Sequence, residues 1–227
     1  MIKKYLIVIF FFIGIIAGMV QYDLIMPTIG SPNAAYYHGK KGNNNISLTI
    51  NVDWGEEYLT AMLEIFQKKD INVTFFVTGK WADKNKELLN RMSTLGHEIG
   101  NHGYSHAHPK QLSDAHLIEL IKKNEELIFQ ITDKRTKLFA PPYGEVDDRI
   151  ASVAASIGYN TIMWSADTID WQRPPAEVVA QRAINKIDDG GIILMHPTKP
   201  SLEALDNIIT TLESRGYNFV TVSELIR

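Results

Sequence analysis

The chain has 227 residues, of which 45% are hydrophobic and 22% charged, a balance typical of one globular domain with a short extension. Its net charge of −3 and its pI of about 6.2 argue against a basic surface that binds nucleic acid. Because the chain has no cysteine, disulfides, thiolate metal sites and cysteine nucleophiles are excluded.

The N-terminus carries a long apolar segment. Lys3 and Lys4 precede 18 uncharged residues, 5–22, close to the roughly 20 that cross a bilayer as a helix. The lysines favour a cytoplasmic start, with either an uncleaved transmembrane helix or a cleaved signal segment. The sequence around Gly18 is a poor cleavage site and favours the anchor. We therefore expect a membrane segment over residues 1–26 and an extracytoplasmic protein.

Residues 27–45 differ in composition from what precedes and follows them. They contain two prolines, three glycines and three consecutive asparagines, which is typical of a linker. We therefore predict one folded domain over residues 46–227.

Short apolar segments alternate with helical periodicity across that domain. Such alternation predicts a parallel α/β sheet. About seven strands are too few for the eight-stranded barrel. An incomplete or distorted (β/α) barrel is our first prediction, and a doubly wound open sheet the alternative. The predicted strands cover residues 46–51, 73–78, 97–102, 137–140, 160–164, 192–196 and 218–221. The predicted helices cover residues 57–69, 85–95, 146–157, 175–187 and 201–215, with a longer one capped by Ser113.

Polar residues lie where these strands end. Asn51 and Asp53 close the first strand, His102 the third and His196 the sixth, and Asp167 and Asp170 follow the fifth. Since the carboxyl ends of parallel strands meet at one edge of the sheet, these side chains are predicted to form an active site there.

Two histidines in this set have the spacing of metal ligands. His102 and His106 are four residues apart, so a helical turn would direct both imidazoles to one cation. Imidazole suits zinc or cobalt. Asp53 is the candidate third ligand, since two histidines and a carboxylate leave a position open for water. Alternatively, Asp53 caps the following helix. We interpret His108 as a surface residue and His97 as a structural one.

Five short motifs, in a fixed order, resemble those of the polysaccharide deacetylases, the NodB homology domain of carbohydrate esterase family 4. The resemblance covers residues 46–227 and is similar in detail to sporulation-associated peptidoglycan deacetylase-like proteins of Gram-positive bacteria. The motifs are TINVDWG at 49–55, HEIGNHGYSH at 97–106, FAPPYG at 139–144, DTIDW at 167–171 and ILMH at 193–196.

The resemblance implies a role for each matching residue. Asp53, His102 and His106 would hold the divalent metal. His196 would act as general acid, with Asp170 stabilising its imidazolium form. The backbone N–H of Tyr143 would stabilise the oxyanion. The further substrate-binding residues implied are Pro142, Trp171 and Met195.

Two residues depart from the family pattern. Asn51 occupies the position of the usual catalytic aspartate, and an amide has no useful basicity near neutral pH. Ala140 replaces the arginine that normally accompanies that aspartate. Because an arginine without its carboxylate would be an unpaired cation in the cleft, we interpret the two as one linked change. In an alternative assignment, Asp53 is the base and only the two histidines bind metal.

Two functions follow from these features. The first is metal-dependent de-N-acetylation of an N-acetylhexosamine polymer, with peptidoglycan favoured over a chitin-like glycan. The second is a low-activity or non-catalytic relative that binds glycan during cell-wall or spore assembly, which Asn51 favours. A cytoplasmic sugar or phosphate enzyme would require residues 1–26 to have another role. The oligomeric state is not predicted.

Overall fold

The computed structural model describes residues 35–227, which form a parallel sheet surrounded by helices. Its strand order is β5-β4-β3-β2-β1-β7-β6, with β8 paired to the start of β1. The two end strands of this order, β5 and β6, are not paired with each other, so the barrel is not closed. The predicted incomplete barrel is confirmed, and the alternative of a doubly wound sheet is wrong. The strands are β1 (Asn45–Val52), β2 (Thr74–Val77), β3 (Glu98–Asn101), β4 (Leu138–Phe139), β5 (Asn160–Thr161), β6 (Ala166–Asp167), β7 (Ile192–Met195) and β8 (Asn218–Phe219).

The helices follow the predicted order, with additions at two places. The prediction that Ser113 caps the long helix is confirmed, since its side chain accepts the N–H of His116. A short helix before the second predicted one and another at the C-terminus were not predicted. The helices are α1 (Glu56–Lys69), α2 (Gly79–Lys84), α3 (Lys86–Thr94), α4 (Asp114–Thr132), α5 (Asp148–Ser156), α6 (Ala176–Lys186), α7 (Lys199–Ser214) and α8 (Val222–Ile226).

Strand β1 divides its side chains between the two faces of the sheet. Ile46, Leu48 and Ile50 belong to the main hydrophobic core, together with residues of α1 and α7. The alternate residues, Thr49 and Asn51, therefore face the inside of the open barrel. The period of two also brings Asn51 and Asp53 to one side, as predicted from the sequence, and both line the same cavity.

Residues 36–42 are bonded to the domain, although their composition predicts a linker. The N–H of Tyr36 donates to Thr161 O at 2.8 Å, and Tyr36 O accepts the N–H of Met163 at 2.8 Å, so Tyr36 lies along the free side of β5. Further along, the N–H of Gly39 donates to Gly190 O at 2.7 Å, just before β7. This strap, residues 36–42, spans the opening of the sheet. The predicted domain start at residue 46 is therefore too late. The sequence gives no sign of the earlier start, because backbone hydrogen bonds do not require an apolar pattern.

The predicted membrane segment, residues 1–26, lies outside the described residues, as do linker residues 27–34. Among residues 35–227, no helix combines the length and apolar composition needed to cross a bilayer. The anchor therefore stays a prediction.

Buried His97 makes stability depend on pH. Its ring lies between the edges of Phe66 and Phe75, with centroids 5.6 and 5.3 Å away, and its Nδ1 accepts the N–H of Val73 at 3.3 Å. Burial lowers the pKa of His97 to about 4. The interpretation of His97 as structural is therefore confirmed.

We expect the His97 contribution to be complete above the unfolded-state pKa of about 6.5 and to be lost as the pH falls towards 4. At pH 4.5 the loss should be on the order of 2 kcal/mol. In His97→Asn, whose amide oxygen can still accept from Val73, the free energy of unfolding should fall less between pH 7 and 4.5 than in the native chain. Urea titrations at several pH values measure this difference. Parallel pH curves for the two proteins would contradict the assignment.

Candidate active site

A cavity of about 440 Å³ lies at the carboxyl ends of the strands. Motif residues from all five segments line it directly, which agrees with the expectation that this edge of the sheet carries the site. Seven predicted site residues line the cavity: Asn51, Asp53, His102, His106, Tyr143, Trp171 and His196. The other lining residues are Trp54, Gly144, Trp164, Asp167 and Leu194.

His102 is held in one orientation. Its Nδ1 lies 2.6 Å from the Ala140 carbonyl oxygen and donates to it, so Nε2 remains free to bind a metal. Burial, together with the neighbouring His106 and His196, lowers the pKa of His102 to about 3, although the hydrogen bond to Ala140 opposes this shift. The ring is therefore neutral, as a metal ligand must be.

The turn after His102 is fixed from below by buried Asn101. Its side-chain oxygen accepts the N–H of Gly103 at 2.8 Å, and its amide donates to Ile121 O of α4 at 2.8 Å. A hydrogen bond from Asn124 of α4 to the same Asn101 oxygen, at 3.0 Å, completes the support. These contacts explain why the two histidines follow β3 in a defined turn.

His106 and Asp53 complete the set of candidate ligands. The centroids of the His102 and His106 rings are 5.1 Å apart. Burial lowers the pKa of His106, while the nearby Asp53 carboxylate opposes this shift. One Asp53 oxygen accepts the Thr78 hydroxyl at 2.7 Å, and the N-cap of α1 is Gly55, with no side-chain cap, so the capping alternative for Asp53 is wrong.

The donor types in this set fit a zinc-like cation. Two neutral imidazoles, one with its Nε2 free, and a carboxylate with one uncommitted oxygen are the ligands that such an ion prefers. Across residues 35–227, no three histidine, cysteine, aspartate or glutamate side chains are drawn together into a compact metal cluster.

Of the two residues that depart from the motif pattern, Asn51 lines the cavity and Ala140 does not. Asn51 is 6% exposed, and its side-chain oxygen is buried with no hydrogen-bond partner among the described residues. Ala140 is 4% exposed and packs in the apolar cluster inside the barrel with Phe76 and Leu138. These two positions therefore hold an amide and a methyl group, neither of which carries a charge.

His196 and Asp170 form a hydrogen-bonded pair at the end of β7. The Nδ1 of His196 lies 2.8 Å from one oxygen of Asp170, which is fully buried. The second oxygen accepts the backbone N–H of His196 at 2.6 Å and the Ser201 hydroxyl at 2.5 Å. Three donors thus fix the carboxylate, and the carboxylate fixes the imidazole with Nε2 free.

Gly55 brings the loop after β1 next to the loop after β7. Its φ of 83° lies in the left-handed region, and a Cβ at this position would lie 2.2 Å from Pro197 O. This close approach places Trp54 beside His196, with ring centroids 6.2 Å apart and planes within 7°. Only glycine allows the two loops to meet in this way.

The family is identified by a match over more than half of the chain. The family model described as polysaccharide deacetylase matches residues 38–162. The chain belongs to the polysaccharide deacetylase family. The resemblance predicted from the five motifs is therefore confirmed. Members of this family are hydrolases that act on amide bonds and generally depend on a metal, and some relatives are pseudoenzymes.

Two relatives show how much of a longer protein the chain matches. It is 40% identical over 190 residues to the uncharacterized protein YlxY of Bacillus subtilis, covering 84% of this chain and 60% of YlxY. It is 32% identical over 186 residues to the peptidoglycan-N-acetylglucosamine deacetylase PgdA of Listeria monocytogenes, covering 82% of this chain and 39% of PgdA. The chain thus spans less than two thirds of each relative.

Among solved structures, the chain is similar to BA3943 of Bacillus anthracis, which is described as a CE4 family pseudoenzyme. The TM-score is 0.84 and the sequence identity is 39%, and the match covers 87% of this chain and 70% of BA3943. A BA3943 mutant described as having restored enzymatic activity is similar with the same TM-score and 38% identity, over 87% of this chain and 72% of the mutant.

Two substrate-binding residues predicted from the deacetylase motifs do not line the cavity. Met195 is fully buried in the main core between sheet and helices, so its predicted contact with substrate is wrong. The neighbouring Leu194 lines the cavity instead, because alternate residues of β7 face opposite sides of the sheet. Pro142 is buried and is not among the lining residues, whereas the adjacent Tyr143 is.

Sequence reasoning missed several residues of this candidate site. Trp54 lies inside the first motif, so its position beside Asp53 could have indicated it. Leu194 lies in β7 two residues before His196, so the period of two could have indicated it, and Trp164 ends the strand predicted over residues 160–164. His108 does not act as an isolated surface residue, because its ring stacks on Tyr143. Only the folded structure brings these two rings together.

Proposed function

We propose that this domain removes N-acetyl groups from N-acetylhexosamine residues of peptidoglycan at a low rate. Family membership supports amide hydrolysis, and the named activity of PgdA suggests the polymer. The observation that carries the proposal is that His196, held by Asp170, lines the same cavity as His102 and His106. A chitin-like glycan carries the same acetamido group and is the alternative substrate.

We propose that Asp53, His102 and His106 hold one divalent cation, with zinc as the first choice and cobalt as the alternative. An ion bound there would polarise the acetamide carbonyl and lower the pKa of a water molecule. The free Nε2 of His102 and the uncommitted oxygen of Asp53 support this assignment.

The residues around that position would move protons and stabilise charge. His196, with Nδ1 engaged by Asp170, would protonate the departing amine through Nε2 as the C–N bond breaks. The backbone N–H of Tyr143 would donate to the carbonyl oxygen as negative charge develops. Asn51 can orient a water but cannot take its proton, because an amide is not a base at neutral pH. The rate is therefore expected to be low.

A second candidate is a domain that binds glycan without hydrolysing it, in cell-wall or spore assembly. The buried, unpartnered oxygen of Asn51 and the methyl group of Ala140 favour it, since neither can activate water. The similarity to BA3943, described as a pseudoenzyme, also supports it. In both cases we propose an extracytoplasmic location, with residues 1–26 as the membrane anchor.

His102→Ala is expected to weaken zinc binding by about 10²-fold or more, since it removes a ligand, and to abolish acetate release. Zinc per chain is measured after dialysis of the full-length protein, and acetate release is measured on acetylated chito-oligosaccharides and on peptidoglycan. His116→Ala, at an exposed histidine of α4 outside the cavity, is the matched control and should bind zinc normally.

Two outcomes would change these assignments. Unchanged zinc content in His102→Ala would show that the ligand set is wrong. A native chain that binds zinc and glycan but releases no acetate would favour the non-catalytic candidate.

A further inference from the structure

Tyr143 has an unusual conformation for an exposed residue. Its φ of 59° and ψ of 6° lie in the left-handed region, which is unfavourable for a residue with a Cβ. Its side chain is among the most exposed large apolar groups of residues 35–227, at 56%. Burial therefore does little to hold the ring, and other contacts must fix its position.

Two histidine rings supply those contacts. The His108 ring lies parallel to the Tyr143 ring, with centroids 3.9 Å apart and planes within 8°. The His106 ring meets the same tyrosine edge-on, with centroids 4.3 Å apart. Tyr143 and His106 line the cavity, whereas His108 does not, so His108 contacts Tyr143 from outside.

His108 is itself anchored to the loop that carries Tyr143. Its Nδ1 lies 2.9 Å from one oxygen of Glu145, and the other oxygen accepts the N–H of Lys110 at 3.2 Å. The Glu145 carboxylate, on the same loop as Tyr143, thus binds both ends of the segment 108–110. Arg149 of α5 adds a bond to the Pro109 carbonyl at 3.0 Å.

We propose that His108 and Glu145 are positioning residues that together form a latch, defined as these two side chains, holding Tyr143 at the mouth of the cavity. This inference rests on the proposed function, since it deepens the account of how an N-acetylated sugar is received. The latch joins the loop after β3 to the loop after β4. The latch fixes the Tyr143 ring and backbone before the sugar binds. It therefore reduces the conformational entropy that this loop loses on binding.

The first test is the affinity of the full-length, zinc-loaded chain for N-acetylated chitotetraose, by calorimetric titration. His108→Ala should weaken binding by about 3- to 10-fold. His108→Phe keeps a flat ring against Tyr143 but loses the bond to Glu145, so it should restore only part of the affinity. Glu145→Ala removes the same anchor from the other side and should weaken binding in the same direction, while His116→Ala should bind as the native chain does.

The second test does not depend on sugar binding. Hydrogen exchange of peptides covering residues 141–147 should be several-fold faster in His108→Ala and in Glu145→Ala, with β1 and β7 unchanged. If exchange in this loop is unaltered in both variants, the latch is overturned, even where the native chain binds no sugar. Absence of sugar binding with the expected exchange would instead reject the proposed function and keep the latch. Should His108→Ala fail to fold, Glu145→Ala alone decides.

Discussion

Asn51→Asp is expected to raise acetate release by about 10²- to 10⁴-fold over the native chain, the range that a general base contributes. Asn51 lines the cavity and is almost fully buried, and its oxygen has no partner among the described residues. Aspartate has nearly the same shape, so the new carboxylate would occupy this position without repacking. The measurement is the initial rate with zinc or cobalt, on acetylated chito-oligosaccharides and on peptidoglycan.

Two further variants make this result specific. Asn51→Ala removes the amide without supplying a base and should not raise the rate. Ala140→Arg alone should not raise it either, and its buried position beside Phe76 predicts a loss of stability from overpacking. Robust turnover of the native chain that Asn51→Asp does not improve would contradict the account of the missing base and would favour Asp53 in that role.

Asp170→Asn is expected to lower the rate of the Asn51→Asp protein by about 10²-fold or more, because His196 loses the carboxylate that stabilises its protonated form. It should also lower the free energy of unfolding by about 1–3 kcal/mol. The buried carboxylate accepts three hydrogen bonds, from two groups of His196 and from Ser201. An amide cannot accept them all, and its NH₂ group would face a donor.

Ser201→Ala is the matched control, since it removes one of the three donors and leaves His196 bonded to Asp170. It should retain most of the rate. Initial rates, thermal unfolding and zinc content are measured on all three proteins, and zinc content should not change. Full activity of Asp170→Asn would show that His196 is not the general acid or does not need its partner.

The larger elements of the fold could be predicted from the sequence, because burial imposes a visible pattern. Strands β1, β2 and β7 are largely apolar segments, and the long helix α4 has both a cap and an apolar face. Strand β6 has two residues, too few for any period. The strap over residues 36–42 contributes mainly backbone hydrogen bonds, which leave no mark on composition.

Residues of the candidate site divide in the same way. Asp53, His102 and His196 were found because each follows a strand, and strand ends converge by topology. Met195 was wrongly predicted to contact substrate. Alternation along β7 places His196 and Leu194 on the inner face and Met195 on the opposite face. The contact of His108 with Tyr143 joins residues 35 positions apart through two irregular loops, and no local pattern specifies it.

The strap also affects how this domain meets other molecules. Without Tyr36, strand β5 would present unpaired N–H and C=O groups along one side, the kind of edge that recruits a strand from another chain. A fragment beginning at residue 46 would carry such an edge, and one beginning at residue 35 would not. The glycine- and asparagine-rich segment therefore protects the sheet against intermolecular pairing.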